Sequence, residues 1–106
     1  DLETSRCAVQ RVHLADAVAM YAVAILHGTR SHQRVRLGAS TRGGVALVSL
    51  AKAFSFMAGR DYVAPHDIAR AALSALPHRL VMAGSERAHA ADVVAECIAA
   101  VQAPRR

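Results

Sequence analysis

Lysine and aromatic side chains are scarce in this sequence. Lys52 is the only lysine among 13 basic residues, and aromatic residues make up 4% of the 106 positions. Few rings are available to stack on bases, and the positive charge is scattered along the chain, so the pattern typical of a nucleic-acid-binding surface is weak. The formal net charge of +5 still permits contacts with phosphates or with an acidic protein surface.

Disulfide and membrane signals are also missing. Cys7 and Cys97 lie near opposite ends of the chain, and one distant pair is not a disulfide framework, so we expect reduced thiols in a cytoplasmic protein. No run approaches the roughly 18 apolar residues that a membrane span needs. The first residues, Asp1-Leu2-Glu3, contain neither an initiator methionine nor a signal-peptide pattern. We therefore expect a segment from within a longer protein.

The motifs of nucleotide hydrolysis and metal binding do not occur. The sequence has no G-x-x-x-x-G-K-[ST] phosphate loop and no acidic cluster that follows a strand and could hold magnesium. The six histidines form no H-x-x-x-H pair and have no C-x-x-C partner, so no metal site is predicted. A Cys–His nucleophile pair would meet only in space, and nothing local supports one. These absences predict a chain without catalytic residues that is not an enzyme on its own.

The apolar spacing predicts a single all-α domain over residues 1–106, a small bundle of about five helices with little or no strand. One helix is expected over 2–12, and a second begins near 14 and either ends at Gly28 or continues through it. Further helices are expected to start at Ser40 and at Pro65, which suits a first helical position. The last helix carries one apolar stripe, Val94, Cys97, Ile98 and Val101.

The helix that starts at Ser40 has a clear apolar face. Gly59 is expected to end this helix in the left-handed conformation. The predicted buried face of the helix that starts at Ser40 comprises Leu47, Leu50, Ala51, Phe54 and Met57, with Ser49, Lys52 and Ser55 on the other side.

Two short extended pieces, Val35–Leu37 and Tyr62–Val63, are predicted to pair with each other. Residues 78–82 are predicted to form a helical turn.

The chain is organised around residues 35–47, where an apolar-basic segment leads into the helix that starts at Ser40. Ser40 is a good N-cap, because its hydroxyl can accept a hydrogen bond from a free N–H of the first turn. Arg42 then projects from a helix N-terminus that already favours anions, and its guanidinium matches phosphate oxygens. On these residues alone, a solvated arginine is the commoner interpretation. Gly43 and Gly44 would either let a ligand approach closely or relieve crowding against the preceding helix.

Several blocks in this order and spacing resemble the C-terminal helical lid of MoxR-type AAA+ ATPases, over roughly residues 12–82. The resemblance favours a second helix that continues to about Ser31. The sequence departs from the family at Thr41, where proline is more common, and at Gly43 and Gly44, where bulkier residues are more common. The blocks are Thr29-Arg30, Leu37-Gly38-Ala39-Ser40-Thr41-Arg42, Ala51-Lys52-Ala53, Gly59-Arg60-Asp61-Tyr62-Val63-Ala64-Pro65-His66-Asp67-Ile68 and Leu76-Pro77-His78-Arg79-Leu80.

The resemblance implies that Arg42 is the sensor-2 arginine, which reaches from the lid to the nucleotide phosphates, with Ser40 and Thr41 beside it. This role requires Arg42 to be exposed and not buried against Asp61 or Asp67. ATP and Mg would bind through a core domain upstream of residue 1, and the parent protein would be an ATP hydrolase. Expected partners are that core domain, further copies in a ring homo-oligomer, and a von Willebrand factor A-type protein.

By the same resemblance, the parent would couple ATP hydrolysis to the remodelling or maturation of another protein. The alternative is a small basic helical module that binds nucleic acid or a protein, because Arg30, Arg34, Arg36 and Arg42 lie close together in sequence. His78-Arg79 matches a family block. We interpret it as a packing element between helices, with a contact to a neighbouring subunit as the other reading.

Overall fold

A computed structural model describes residues 11–32, 35–38, 40–82 and 90–104. These ranges contain four α-helices: α1 (Asp16–Ser31), α2 (Thr41–Met57), α3 (Pro65–Ala75) and α4 (Ala90–Ala100). They also contain a 3-10 turn (Pro77–Arg79) and two short strands, β1 (Val35–Leu37) and β2 (Val81–Met82). The all-α class is confirmed, while the described helices number four rather than about five. Most of the expected first helix lies outside the described residues, and positions 11 and 12 form a turn and a bend.

The helix boundaries follow the local sequence signals. α1 continues through Gly28 to Ser31, as the family resemblance implied, and Pro65 is the first residue of α3. Gly59 has a φ of 82° and follows the end of α2, which confirms the left-handed stop. The N-terminus of α4 follows residues 83–89, which lie outside the described residues.

One apolar core joins the four helices. The fully buried side chains include Ile25 of α1, Leu47 of α2, Ile68 of α3 and Val94 of α4. Each comes from an apolar stripe at helical spacing, and burying such a side chain stabilises the fold by about 1.5–3 kcal/mol. Cys97 is also buried in this core, in agreement with its place in the apolar stripe of the last helix. None of the helices in the described ranges is both long and apolar enough to cross a bilayer.

The strand pairing differs from the prediction. β1 pairs antiparallel with β2, and not with Tyr62–Val63. The segment at Tyr62–Val63 pairs with His13 instead. The Val63 N–H donates to the His13 carbonyl at 2.8 Å, and the His13 N–H donates to the Asp61 carbonyl at 2.8 Å. The predicted helical turn over 78–82 was therefore wrong in its second half, which becomes β2 as the chain turns back beside β1.

The C-terminal half of α2 shows a second correction. Met57 was predicted to be buried but is 76% exposed, whereas Ser55 was predicted to face outward and is fully buried. The Ser55 hydroxyl donates a hydrogen bond to the Tyr62 carbonyl, which satisfies a backbone group of the segment that returns after Gly59. A polar residue can lie on the buried face when the neighbouring loop supplies an acceptor.

Ser55→Ala is expected to lower the free energy of unfolding by about 1 kcal/mol relative to Ser49→Ala, because the Tyr62 carbonyl loses its donor. Both serines lie in α2, and Ser49 is exposed, so the gain in helix propensity is the same in both variants. Urea unfolding of the two variants measures the difference. Equal midpoints would show that the hydrogen bond adds nothing to stability.

Candidate functional site

The N-terminus of α2 carries the predicted phosphate-facing residues. Ser40 is the N-cap, with extended backbone, and its hydroxyl accepts a long hydrogen bond of 3.4 Å from the Gly43 N–H. The Ser40 carbonyl accepts from the Gly44 N–H at 3.1 Å, which closes the first helical turn. By helix geometry, the N–H groups of Thr41 and Arg42 have no acceptor within the helix. The cap prediction is therefore confirmed, and two outward-facing donors remain at this end.

Arg42 is exposed in the first turn of α2. It forms no ion pair with any residue in the described ranges. Asp67, one of the two carboxylates that could have sequestered it, is instead held by Arg60 at 2.5 and 2.9 Å. Asp61, the other, is exposed. The guanidinium of Arg42 is thus accessible to an anion from solvent.

The charge at this helix N-terminus is unusual within the described bundle. α1, α3 and α4 each have an aspartate in the first turn, namely Asp16, Asp67 and Asp92, whereas α2 has no acidic residue there. An acidic residue in the first turn normally complements the positive end of the helix dipole. In α2 the positive end of the helix dipole and the positive charge of Arg42 lie together. This helix N-terminus therefore attracts anions more strongly than one that carries an aspartate.

An apolar groove of about 530 Å³ runs between α1 and α2 beside this end. Its walls include Val23, which is 53% exposed, and Val45, which is 63% exposed. Arg30 and Thr41 line the same groove, and none of its described lining residues is acidic. Ligand pockets of 300–1,000 Å³ typically combine apolar walls with a few polar groups of this kind. Sequence reasoning missed this groove, because Val23 and Val45 lie on two different helices. The periodicity of one helix does not predict how it packs against the other.

Gly44 clarifies the role of the two glycines. A Cβ at this position would lie 3.0 Å from Cδ1 of Leu26 in α1. This distance supports the crowding interpretation, although Gly44 also lines the groove and leaves it open there. Gly43 is buried.

The ion pair between Arg60 and Asp67 is the second polar feature that sequence reasoning missed. The Asp67 carboxylate is 2% exposed and also accepts a hydrogen bond of 2.8 Å from the Ala64 N–H. Burial raises the pKa of this carboxyl, but the hydrogen bonds from Arg60 and Ala64 outweigh burial and hold the pKa below its usual value. Asp67 lies in the first turn of α3, where a carboxylate can accept a backbone donor. The arginine seven residues earlier gave no local signal.

The described histidines are not gathered into a metal site. Among the described residues, no group of three or more histidine, cysteine or acidic side chains is placed to hold a metal ion. His32 lies 3.5 Å from Glu96 of α4, and His66 lies 3.5 Å from Asp67. His78 and Arg79 form part of an exposed 3-10 turn that packs against α3 and α4.

Comparison with known proteins agrees with this architecture. Residues 27–97 match the family model described as the AAA lid domain. The chain is 40% identical over 99 residues to the uncharacterized protein YeaC of Bacillus subtilis, covering 91% of this chain and 31% of YeaC. It is 31% identical over 75 residues to the chaperone MoxR1 of Mycobacterium tuberculosis, covering 62% of this chain and 20% of MoxR1.

A solved structure has the same fold. The crystal structure of a proposed ATPase from Cytophaga hutchinsonii superposes with a TM-score of 0.84 at 24% identity, covering 93% of this chain and 34% of that one. The chain therefore spans about a third or less of the length of the relatives that it matches.

Proposed function

This chain belongs to the AAA lid domain family, as the lid of a MoxR-type AAA+ ATPase, and from that premise we propose that it closes over ATP. In this proposal Arg42 is the sensor-2 arginine and contacts the terminal phosphates. Ser40 and Thr41 flank the phosphates at the N-terminus of α2. The observation that carries the proposal is an exposed arginine in a first turn that lacks any acidic residue.

The physical basis is the sum of three attractive contributions to one anion. Arg42 supplies a fixed positive charge and a planar pair of donors, which suits phosphate oxygens better than a lysine would. The N–H groups of Thr41 and Arg42 supply further donors, and the α2 dipole supports them. Such preorganised groups stabilise the negative charge that develops on the ATP phosphates during hydrolysis most effectively when closure of the lid excludes water.

The groove between α1 and α2 gives the rest of the nucleotide a place beside the phosphates. Its apolar walls at Val23, Leu26 and Val45 would contact a base, and Thr41 lies where the groove meets the helix N-terminus. We propose that the base lies along these walls while the phosphates lie at Arg42. Closure of the lid then buries apolar surface and neutralises charge in the same movement.

Hydrolysis itself is proposed for a longer protein, in which a nucleotide-binding core upstream holds ATP and Mg. The coverage of about a third of YeaC and of the Cytophaga protein supports this arrangement. We further propose a ring homo-oligomer in the cytoplasm that couples hydrolysis to the remodelling or maturation of a partner protein. A von Willebrand factor A-type protein is the partner class that the family resemblance suggests.

Thr41→Asp tests the proposal because its effects on folding and on function have opposite signs. A carboxylate in the first turn of α2 should stabilise this 106-residue chain by about 0.5 kcal/mol through the helix dipole. In the longer protein the same carboxylate should repel the phosphates and weaken ATP binding about tenfold. Thermal unfolding of the chain and ATP titration of the longer protein measure the two effects.

Thr41→Asn is the matched control, since it has nearly the same shape without the charge. Its ATP affinity should stay within about twofold of the parent, because no new charge faces the phosphates. If Thr41→Asp binds ATP as tightly as Thr41→Asn does, the phosphates do not lie at this helix N-terminus. Salt-dependent binding of the chain to duplex DNA, with a slope of several units, would instead favour the nucleic-acid alternative.

A further inference from the structure

Gly38 lies directly against the last turn of α1. A Cβ built on Gly38 would be 2.6 Å from Cα of Arg30, 2.7 Å from its N and 2.7 Å from its Cγ. Carbon atoms in van der Waals contact are about 3.5–4.0 Å apart. Two of the three atoms belong to the α1 backbone, so a side chain at position 38 could be accommodated only if α1 or the connection moved.

The connection from α1 to α2 is tied to the bundle at several points. The Val35 N–H donates to the His32 carbonyl at 3.0 Å, directly after α1 ends. β1 then pairs with β2, and Gly38 follows β1 and contacts Arg30. Ser40 caps α2 two residues later. β1 is held by its pairing with β2 before Gly38, and Ser40 is held as the N-cap of α2 after it. The contact between Gly38 and Arg30 therefore fixes how far the start of α2 lies from α1.

We infer that Gly38 is a positioning residue for Arg42, because the absence of a side chain lets the connection rest on the Arg30 backbone and sets the place of the α2 N-terminus. The inference rests on the proposed function of Arg42. A side chain at position 38 would push the start of α2 outward, and the guanidinium four residues on would move with it. A displacement of about 1 Å at a group that contacts the reacting phosphates can reduce a rate by up to about 100-fold.

Gly28 provides the matched control. It lies in α1, two residues before Arg30, and its added Cβ would meet Cβ and Sγ of Cys97 at 3.5 Å, which is ordinary van der Waals contact. Gly28 is not among the described residues that line the groove between α1 and α2. Gly28→Ala should therefore leave the position of Arg42 unchanged, even though it is the same substitution beside the same turn of α1.

The experiment measures ATP turnover of the longer protein in five forms: the parent, Gly38→Ala, Gly28→Ala, Arg42→Ala, and the double variant Gly38→Ala with Arg42→Ala. We expect Gly38→Ala to lower kcat about tenfold and Gly28→Ala to stay within about twofold of the parent. The double variant should be no slower than Arg42→Ala alone, because a displaced arginine and a missing arginine remove the same interaction.

Several outcomes would overturn the inference. If the two losses multiply in the double variant, Gly38 acts on turnover by a route other than Arg42. Parent-like turnover of Gly38→Ala, or equal losses in Gly38→Ala and Gly28→Ala, would contradict it, as would a Gly38→Ala protein that no longer unfolds cooperatively. If Arg42→Ala alone turns over like the parent, the proposed function fails, and the inference fails with it. A slow Arg42→Ala variant beside a fast Gly38→Ala variant would overturn only the positioning role.

Discussion

Arg42→Ala is expected to reduce ATP turnover of the longer protein roughly 100-fold, with a smaller change in ATP affinity. Removal of one preorganised donor from a site of developing charge typically costs about 10²–10³ in kcat. The larger effect should fall on kcat, because in the proposed contact the guanidinium interacts most strongly with the charge that develops on the phosphates in the transition state. Steady-state hydrolysis at saturating and at low ATP separates the two parameters.

Arg70→Ala is the control for a lost arginine away from the site. Arg70 lies on α3 with its guanidinium 4.2 Å from the centre of the Phe54 ring, and Phe54 is ~18 Å along α2 from Arg42. Its removal should leave kcat within about twofold of the parent. Arg42→Lys should recover part of the activity through its charge, without the planar fork. If Arg42→Ala and Arg70→Ala hydrolyse ATP equally fast, Arg42 is not a sensor arginine.

Arg60→Ala is expected to lower the free energy of unfolding by about 3 kcal/mol near pH 7. The substitution removes the main partner of the buried Asp67 carboxylate and leaves it the Ala64 N–H and the His66 ring, which is 3.5 Å away. Removing one partner of a buried ion pair typically costs 3–5 kcal/mol. The variant also loses the contact between the Arg60 guanidinium and the Tyr62 ring, which are 5.7 Å apart. Urea unfolding of the 106-residue chain measures the loss.

The loss should depend on pH with a defined sign. The pKa of Asp67 is lowered in the folded chain, so its ion pair contributes fully above the ordinary carboxyl pKa of about 4. The contribution disappears as the pH falls through the lower folded-state value, because the carboxyl is then protonated. The difference between the parent and Arg60→Ala should therefore be greatest near pH 7 and shrink below about pH 4.

Arg79→Ala is the control for this second experiment, since Arg79 is exposed and forms no ion pair within the described ranges. It should change stability by less than about 0.5 kcal/mol at any pH. A loss in Arg60→Ala that stays constant between pH 7 and pH 3 would show that the charge of Asp67 is not its cause.

Local signals in the sequence determined the helices and their ends. Ser40 predicted the start of α2, Pro65 the start of α3 and Gly59 the stop between them, because caps and turn residues act within a few positions of themselves. The apolar stripes predicted the burial of Leu47 and Ala51 in α2 and of Val94 and Cys97 in α4, since helical periodicity is also a local property. The position of Arg42 in a first turn followed from the same signals.

Only the tertiary structure decided which distant segments meet. β1 pairs with β2 and not with Tyr62–Val63, because packing of the 3-10 turn against α3 and α4 brings the following residues back to β1. Ser55 can be buried because the Tyr62 carbonyl lies close enough to accept its hydrogen bond. Arg60 lies in the loop between α2 and α3 and forms an ion pair with Asp67 after it. The contact of Gly38 with Arg30 arises where the connection after β1 meets α1, and the groove at Val23 and Val45 lies between α1 and α2. Each of these features depends on the relative placement of elements, which residue spacing within one element does not encode.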